Sequence, residues 1–401
     1  METVVIVGGG HAAAEAAFAL RAKKYGGSIT MVSSESRLPY HRPPLSKGFL
    51  TGALDEAKLD IKKPEMYQKF DIKTHLNTSV TRINLADQQI LTNEMPIDYD
   101  HLILATGTRP RQLDCVGSDL PCVSYLRTIE DVEKIRKQCR AGTRVLIVGA
   151  GYIGLEVAAS VIKVGGHACV LEFQERVLSR VTNQTMSEFY QNLHAKHGVD
   201  IKLQTALTKI TSSDNGYIAH LSDESQEVFD LIVVGIGVVP NDELAKNAGI
   251  ECENGILVDK YTRTNFNNVY AIGDVSMHPN QIYGRNIRLE SVPNAMDQAK
   301  VAASNICGLA TEYNSVPWFW SDQYNIKLQT AGLSQGYDQT LIRGDMTKDS
   351  FSILYLQNGK LIALDAINSP QDFMRAKQLI ATEFYLTHRA IDDPSLDWFT
   401  P

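Results

Sequence analysis

The chain has 401 residues, of which 44% are hydrophobic and 21% are charged, and its formal net charge is -7. Because a single hydrophobic core stops growing at roughly 250 to 300 residues, this length predicts two or three domains. The acidic balance argues against a nucleic-acid partner, since nucleic-acid-binding domains carry a net basic footprint.

The first residues predict a strand that begins at once and gives no sign of a targeting or membrane segment. METVVIVGGGHAAAEA enters a strand by Thr3 and reaches glycines at Gly8, which leaves no room for a signal peptide. Every apolar run is far shorter than the ~20 residues needed to cross a bilayer. We therefore expect a cytoplasmic protein without a membrane partner.

The first predicted unit is a strand, a glycine-rich turn and a helix within Val4–Leu20. Its Gly8-x-Gly10-x-x-Ala13 spacing fits the dinucleotide-binding fingerprint. In that fingerprint the first glycine makes the turn, the second lets a pyrophosphate approach, and the third, small residue packs the helix on the strand. The helix N-terminus supplies N–H donors and a favourable dipole for the phosphate.

SITMVSSE is predicted to be the second strand of this unit, and its end is where a ribose-binding acid belongs. We choose Glu35, with Ser33 and Ser34 as alternatives.

The next stretch, His41–Phe49, reads HRPPLSKGF, and residues 36–50 contain no cysteine. It offers two cations, Arg42 and Lys47, on a loop stiffened by prolines. The alternative interpretation is that Pro-Pro-x-Ser opens a helix with Lys47 solvated in its first turn.

A second unit is predicted within Arg144–Ser160, with the spacing Gly149-x-Gly151-x-x-Gly154. The following strand, HACVLEF, ends in Glu172, 18 positions after Gly154. One such match is a weak signal, but two in one chain, each between a strand and a helix, indicate two bound dinucleotides.

Other strands are predicted around these two units. DYDHLILATGTRP and DLIVVGIGVVPND are apolar runs that end in turns, and VYAIGDV places Asp274 at the end of a further strand. A helix N-cap is the alternative role for Asp274. Six scattered cysteines without a C-x-x-C pair predict free thiols and no metal centre.

The segment from about Val316 onward predicts a hairpin, FSILYLQNGKLIALDAIN, followed by a helix, DFMRAKQLIATEF. WFWSDQ lies at its start, and we expect Trp318 and Phe319 in the core.

A series of motifs occurs in order along nearly the whole chain: RPPLSK, ATGTRP, LRTIEDVEKI, GAGYIGLEVA, GIGVVPND, LESVPNA and PWFWSDQYNIKLQ. This series resembles the ferredoxin reductases that serve Rieske-type dioxygenases and bacterial haem-thiolate monooxygenases. Rubredoxin reductases and apoptosis-inducing factor share the fold. The disulfide reductases of the same superfamily carry a cysteine pair after the first unit, which this chain lacks.

The resemblance implies an α/β fold with two Rossmann-like, glutathione-reductase-like domains and a small α+β C-terminal domain. A discontinuous FAD domain would comprise residues 1–110 and 241–315, an inserted NAD domain residues 111–240, and a C-terminal interface domain residues 316–401.

The same resemblance implies FAD and NADH as cofactors and assigns residues to them. The FAD set is Gly8, Gly10, Ala12, Ala13, Glu35, Arg42, Lys47, Ala105, Thr106, Arg127, Asp274 and Val292. The NADH set is Gly149, Gly151, Gly154, Glu172 and Gly237. The residues expected beside the reacting groups are Lys47, Tyr152, Glu156 and Trp320. Tyr152 is expected to cover the flavin until nicotinamide displaces it.

The implied activity is an NADH:ferredoxin oxidoreductase that passes electrons through FAD singly to a 2Fe-2S ferredoxin serving an oxygenase. The ferredoxin is expected near Trp320, attracted by Lys300, Lys327 and Lys377. A rubredoxin reductase, or an NADH-sensing interaction protein like apoptosis-inducing factor, is the alternative.

Overall fold

The computed structural model describes residues 2–386, which form two compact units. The first unit contains residues 2–41, 59–109 and 239–319, and the second contains residues 42–58, 110–238 and 320–386. The three-domain division stays a prediction, and residues 387–401 of its C-terminal part lie outside the described residues.

The first unit is built on a five-stranded parallel sheet. In spatial order its strands are Val269–Ala271, His101–Leu104, Thr3–Val7, Ser28–Val32 and Ile72–His75. Two smaller sheets belong to the same unit, one of Val80–Asn84, Gln89–Thr92 and Pro96–Asp98, the other of Cys252–Glu253, Gly255–Leu257, Ser276–Asn280 and Arg285–Arg288.

The second unit repeats the five-stranded parallel sheet. Its strands, in spatial order, are Asp200–Lys202, His167–Leu171, Arg144–Val148, Leu231–Val234 and Val123–Tyr125. An antiparallel sheet of Leu207–Ser213, Gly216–Leu221 and Gln226–Phe229 follows it. The chain passes from the first unit to the second within the short strand Thr108–Pro110, and it returns within the short strand Val238–Pro240.

The central strands VVIV and VLIV are buried along nearly their whole length. Continuous runs of β-branched residues are typical of parallel strands that are covered on both faces. The two sheets also share a register, because Val7 lies opposite Val32 in one and Val148 lies opposite Leu171 in the other. The glycine-rich turns therefore leave equivalent strands at equivalent points.

The C-terminal sheet has the strand order Trp318–Gln323, Ile326–Gly332, Lys360–Ile367, Ser350–Gln357 and Gln339–Asp345. The predicted hairpin is confirmed as the antiparallel pair Ser350–Gln357 and Lys360–Ile367, and the predicted helix as Pro370–Ala381. The placement of Trp318 and Phe319 in the core was wrong, since both are only partly buried.

The remaining α-helices are His11–Ala22, Pro64–Lys69, Ile129–Gln138, Tyr152–Lys163, Gln184–Lys196, Glu243–Asn247 and Val292–Ile306. Short 3-10 helices cover Pro43–Ser46, Glu56–Lys58, Gly273–Val275 and Met346–Lys348. Within residues 2–386 none of the helices combines the length and the apolar character that crossing a lipid bilayer requires.

Alanines explain how the first glycine-rich turn is held in the first unit. Helix His11–Ala22 packs against helix Val292–Ile306, and both present buried alanines, including Ala13, Ala17 and Ala299. Small side chains let two helix backbones approach closely, and Ala costs no side-chain entropy when it is buried. The helix that begins at the turn is thus fixed from behind.

Candidate functional site

The first glycine-rich turn has the geometry of a phosphate cradle. Gly8 has φ +142°, and a Cβ there would lie 2.1 Å from the Ala105 carbonyl oxygen. At Gly10, in contrast, an added Cβ would meet nothing within 4 Å. Tight packing at the first glycine and open space at the second are what a pyrophosphate needs to reach the backbone.

The helix that follows this turn keeps its N-terminus available to an anion. Gly10 is its N-cap, no side chain caps it, and its first turn contains no acidic residue. The first N–H groups of a helix have no intrahelical partners, so a phosphate can satisfy them. The residues present therefore fit a dinucleotide.

The predicted FAD residue Ala12 lies beside Gly273, the residue before the predicted FAD residue Asp274. A Cβ on Gly273 would lie 3.1 Å from the Ala12 Cβ, so the 3-10 helix Gly273–Val275 lies beside the start of helix His11–Ala22. Asp274 accepts a hydrogen bond from Thr108 Oγ1 at 3.4 Å. Asp274 lies inside the 3-10 helix Gly273–Val275, and the N-cap position of that helix is Ile272.

Three other predicted FAD residues, Glu35, Thr106 and Val292, lie in the same unit, and the first two form side-chain hydrogen bonds. The Glu35 carboxylate accepts a hydrogen bond from the Tyr40 hydroxyl at 2.6 Å. Thr106 Oγ1 donates to the Asn241 carbonyl at 2.7 Å, and the Asn241 side chain donates back to the Thr106 carbonyl at 2.9 Å. Val292 is the first residue of its helix.

The second turn, in the second unit, repeats this geometry and completes the fingerprint. A Cβ on Gly149 would lie 2.5 Å from the Gly235 oxygen, and one on Gly154 would lie 2.0 Å from the Gly149 oxygen. Gly151 is open, with nothing within 4 Å of an added Cβ. Helix Tyr152–Lys163 also begins without a side-chain cap or an acid in its first turn.

Glu172 lies directly after strand His167–Leu171 and borders this turn. Its carboxylate accepts from the Ala150 N–H at 2.8 Å and from the Gln174 N–H at 2.9 Å. The nearby Arg176 guanidinium donates to the carbonyls of Thr182 and Ser179 and to the Ser187 hydroxyl. Arg176 is thus engaged by its own loop and by the start of helix Gln184–Lys196, whereas each Glu172 oxygen keeps further acceptor capacity.

Lys47 and Glu156 form a nearly buried ion pair in the second unit, with 2.8 Å between Nζ and Oε2. Lys47 follows the 3-10 helix Pro43–Ser46 and keeps 20% of its side chain exposed, while Glu156 keeps 3%. The alternative that the prolines open a helix is thus confirmed in the form of a 3-10 helix, but its second part, a solvated Lys47, was wrong. A buried carboxylate of this kind requires several donors to compensate for its lost hydration.

Two serines supply those donors to Glu156. Ser46 Oγ donates to Oε2 at 2.5 Å, and Ser321 Oγ donates to Oε1 at 2.6 Å. Sequence reasoning missed both, although both stand inside quoted motifs, Ser46 in RPPLSK and Ser321 in WFWSDQ. Their place in these motifs was the signal that could have drawn attention to them. Only the fold shows that both serines donate to the Glu156 carboxylate.

Tyr152 lies four residues before Glu156, on the same face of helix Tyr152–Lys163. Burial raises the pKa of the Tyr152 phenol well above its ordinary value, and the nearby Asp365 carboxylate adds to the rise. Asp365 is itself buried and accepts hydrogen bonds from Thr182, Thr330 and Tyr355, each at 2.7 Å. The phenol end of Tyr152 therefore points into a buried polar cluster.

Other predicted residues of the second unit have these positions. Arg42 donates to the Arg127 carbonyl at 2.6 Å. Gly237 has φ +98°, and a Cβ there would lie 3.7 Å from the Arg180 guanidinium. Trp320 is partly buried in strand Trp318–Gln323.

The three lysines predicted to attract a ferredoxin differ in their surroundings. Lys300, in the first unit, lies 3.8 Å from Glu15 and 3.9 Å from Asp297. Lys327 is exposed and Lys377 is partly exposed, both in the second unit.

All six cysteines are free thiols, and Cys122, Cys139 and Cys169 are buried. Within residues 2–386 one group, Cys169, Asp200 and Glu227, has metal-ligand spacing. Lys202 already pairs with its two carboxylates, at 3.7 Å and 2.7 Å, so the group carries its own cation.

Comparison with known proteins agrees with this reading of the residues. The model of the pyridine nucleotide-disulphide oxidoreductase family matches residues 2–299, and a reductase C-terminal model matches residues 318–398. Putidaredoxin reductase of Pseudomonas putida is 40% identical over 98% of this chain and 95% of its own length. Rhodocoxin reductase of Rhodococcus erythropolis is 40% identical over 98% of this chain and 93% of its own length.

Solved structures give the same result. The reductase in the crystal structure of the covalent putidaredoxin reductase-putidaredoxin complex has a TM-score of 0.95 at 39% identity, covering 99% of this chain and 97% of that chain. A ferredoxin reductase from Rhodopseudomonas palustris has a TM-score of 0.96 at 36% identity, covering 99% of each chain. The fold class predicted from the motifs is confirmed, as is the resemblance to ferredoxin reductases.

Proposed function

We propose, since the chain belongs to the pyridine nucleotide-disulphide oxidoreductase family, that it is an NADH:ferredoxin oxidoreductase containing FAD. Members of this family contain FAD and use NAD(P)H. The observation that carries the proposal is the pair of glycine-rich turns, each open at its second glycine, because one chain then holds two dinucleotides.

We assign FAD to the first turn, with Gly8, Gly10, Ala12, Ala13, Glu35, Ala105, Thr106, Asp274 and Val292, and NADH to the second, with Gly149, Gly151, Gly154, Glu172 and Gly237. When bound, FAD accepts a hydride from NADH and gives up the two electrons singly. The protein supplies the binding, orientation and electrostatics for that chemistry.

Lys47 is the cation that we assign to the flavin ring, where a positive charge stabilises the negative charge created by reduction. Glu156 holds the Lys47 ammonium at 2.8 Å, and Ser46 and Ser321 hold Glu156. We further assign Arg42 and Arg127 to FAD, Trp320 to the flavin edge and Tyr152 to the face that nicotinamide takes. Hydride transfer requires no general acid or base, and none is assigned.

NADH is favoured over NADPH by the acid after the second strand. A Glu172 carboxylate accepts hydrogen bonds from ribose hydroxyls and repels a 2'-phosphate. Arg176, four positions after Glu172, donates its hydrogen bonds to the Ser179 and Thr182 carbonyls and to the Ser187 hydroxyl.

A 2Fe-2S ferredoxin that serves an oxygenase is the acceptor that we favour. The names of relatives support it, including a ferredoxin-NAD(P)(+) reductase of Sphingomonas at 39% identity. We place its docking near Trp320, with Lys300, Lys327 and Lys377 attracting an acidic partner. Rubredoxin is the second candidate, because rubredoxin-NAD(+) reductase of Pseudomonas putida is 38% identical over 92% of this chain.

The test is steady-state oxidation of NADH by the FAD-loaded protein with a 2Fe-2S ferredoxin, a rubredoxin or ferricyanide as acceptor. We expect rapid turnover with the ferredoxin and slower turnover with the rubredoxin. Preferred reduction of rubredoxin would overturn the acceptor. Slow turnover with every acceptor, together with a change of assembly on adding NADH, would favour the interaction protein instead.

A further inference from the structure

A chain of hydrogen bonds leads away from the Lys47–Glu156 pair and is not accounted for by cofactor binding. Ser321 Oγ contacts Glu156 Oε1 at 2.6 Å, Gln323 Nε2 contacts Ser321 Oγ at 3.3 Å, and His194 Nε2 contacts Gln323 Oε1 at 2.8 Å. The Tyr324 hydroxyl contacts His194 Nδ1 at 3.2 Å. All these residues belong to the second unit.

The chemistry of each group gives the hydrogen bonds one direction. A serine hydroxyl has one hydrogen, and the Glu156 carboxylate accepts it from Ser321. Ser321 must then accept from the Gln323 amide N–H, which leaves the Gln323 carbonyl oxygen facing His194. That oxygen only accepts, so His194 carries its hydrogen on Nε2 and its Nδ1 accepts from Tyr324.

We infer that His194 is a positioning residue: in its Nε2–H tautomer it orients Gln323, and through Ser321 it keeps a hydrogen bond directed at Glu156. The inference deepens the proposed function and rests on it, because Glu156 matters to the reaction only if Lys47 acts on the flavin. The hydrogen bonds of His194 go to Gln323 and Tyr324, so its effect on Glu156 and Lys47 is indirect.

Burial makes the tautomer of His194 matter. His194, Ser321 and Gln323 are each at most 1% exposed, so bulk water does not reach these side chains to replace a missing donor. Burial also lowers the pKa of His194 to about 4, which keeps the ring neutral at pH 7. A neutral imidazole has one N–H, and its position therefore decides which way the whole chain points.

The residues joined by these hydrogen bonds come from three separate elements of the second unit. His194 belongs to helix Gln184–Lys196, Ser321 and Gln323 to one face of strand Trp318–Gln323, and Glu156 to helix Tyr152–Lys163. Ser321 and Gln323 alternate with Trp320 and Asp322, which point to the other face of the strand. These hydrogen bonds therefore also hold the strand that carries Trp320.

The tautomer is tested directly by 15N NMR of FAD-loaded protein labelled at histidine, with the His194 signal assigned by its loss in His194→Gln. We expect Nε2 protonated and Nδ1 unprotonated at pH 7. An Nδ1–H tautomer would overturn the inference, and this readout does not depend on turnover.

The functional consequence is tested with a matched set of variants. The side-chain nitrogen of Gln reaches the position of Nε2, whereas that of Asn reaches only the position of Nδ1. In anaerobic stopped-flow measurements we expect His194→Asn to reduce the rate constant of flavin reduction by NADH about tenfold, the effect of losing roughly one hydrogen bond. His194→Gln should recover most of the rate.

His197→Phe is the control for packing, since His197 stacks on Tyr324 with 3.7 Å between ring centroids but makes no link of the chain. We expect it to leave the rate constant within about twofold of the original protein. Equal rates for His194→Asn and the original protein would overturn the inference, as would equal losses in His194→Asn and His194→Gln. If the unaltered protein were not reduced by NADH, the proposed function would fail instead.

Discussion

Replacing either of two glycines of the second turn, Gly154 or Gly151, by alanine should have a different effect: the first change should reduce stability and the second should reduce NADH binding. An alanine Cβ at Gly154 would lie 2.0 Å from the Gly149 oxygen, about 1 Å inside the 3.0 Å that real Cβ contacts keep. Helix Tyr152–Lys163 would have to move away from its strand, at a cost of about 1–3 kcal/mol. Gly154→Ala should therefore lower the urea midpoint of unfolding.

Gly151→Ala should leave that midpoint unchanged and weaken NADH binding instead. A Cβ at Gly151 meets nothing within 4 Å, and its backbone, with φ -78° and ψ -179°, suits any residue. The methyl group would occupy the space through which the pyrophosphate approaches the backbone. We expect KM for NADH to rise by at least about tenfold, or about 1.4 kcal/mol.

The matched substitution in the first turn, Gly10→Ala, should weaken FAD instead, measured as the dissociation constant of FAD from the protein. A Cβ at Gly10 likewise meets nothing within 4 Å. An unchanged KM for NADH in Gly151→Ala would refute the placement of the NADH pyrophosphate. Loss of FAD from Gly151→Ala, with Gly10→Ala unaffected, would show that the two nucleotides are exchanged between the turns.

Four further predictions concern specificity, the electron path, docking and pH. Glu172→Ala should narrow the ratio of kcat/KM for NADH to that for NADPH, and comparable values in the unaltered protein would refute the role of Glu172. Anaerobic dithionite titration should take up about two electrons per FAD, and replacing all six cysteines should leave that uptake unchanged, whereas an uptake of four would reveal a further redox centre. Lys377→Glu should slow ferredoxin reduction and weaken its salt dependence while NADH-to-ferricyanide turnover stays nearly unchanged, and parallel loss of both would place Lys377 in the fold or the flavin site. Because burial lowers the pKa of His194 from 6.5 to about 4, the unfolded chain binds an extra proton at this residue as pH falls through 6.5; His194 should contribute about 2 kcal/mol to the loss of stability between pH 7 and pH 5, and an equal loss in His194→Gln would contradict this.

The sequence by itself determined the two nucleotide-binding units and the family. Each unit is a local pattern: a run of β-branched residues, glycines at fixed spacing and an alanine-rich or amphipathic helix, all within about 20 residues. The backbone needs those glycines for steric reasons that act between near neighbours, as the 2.0 Å approach of Gly154 to Gly149 shows. The C-terminal hairpin and helix were likewise predictable from periodicity alone.

Only the tertiary structure decided what Lys47 and Glu156 do for each other. They are 109 positions apart, and Ser321 is 165 positions beyond Glu156, so no spacing rule connects them. The sequence left Lys47 as a cation on a loop, open to a solvated interpretation. Burial removed that interpretation, because a nearly dry carboxylate is tolerated only where the fold gathers donors such as Lys47, Ser46 and Ser321 around it.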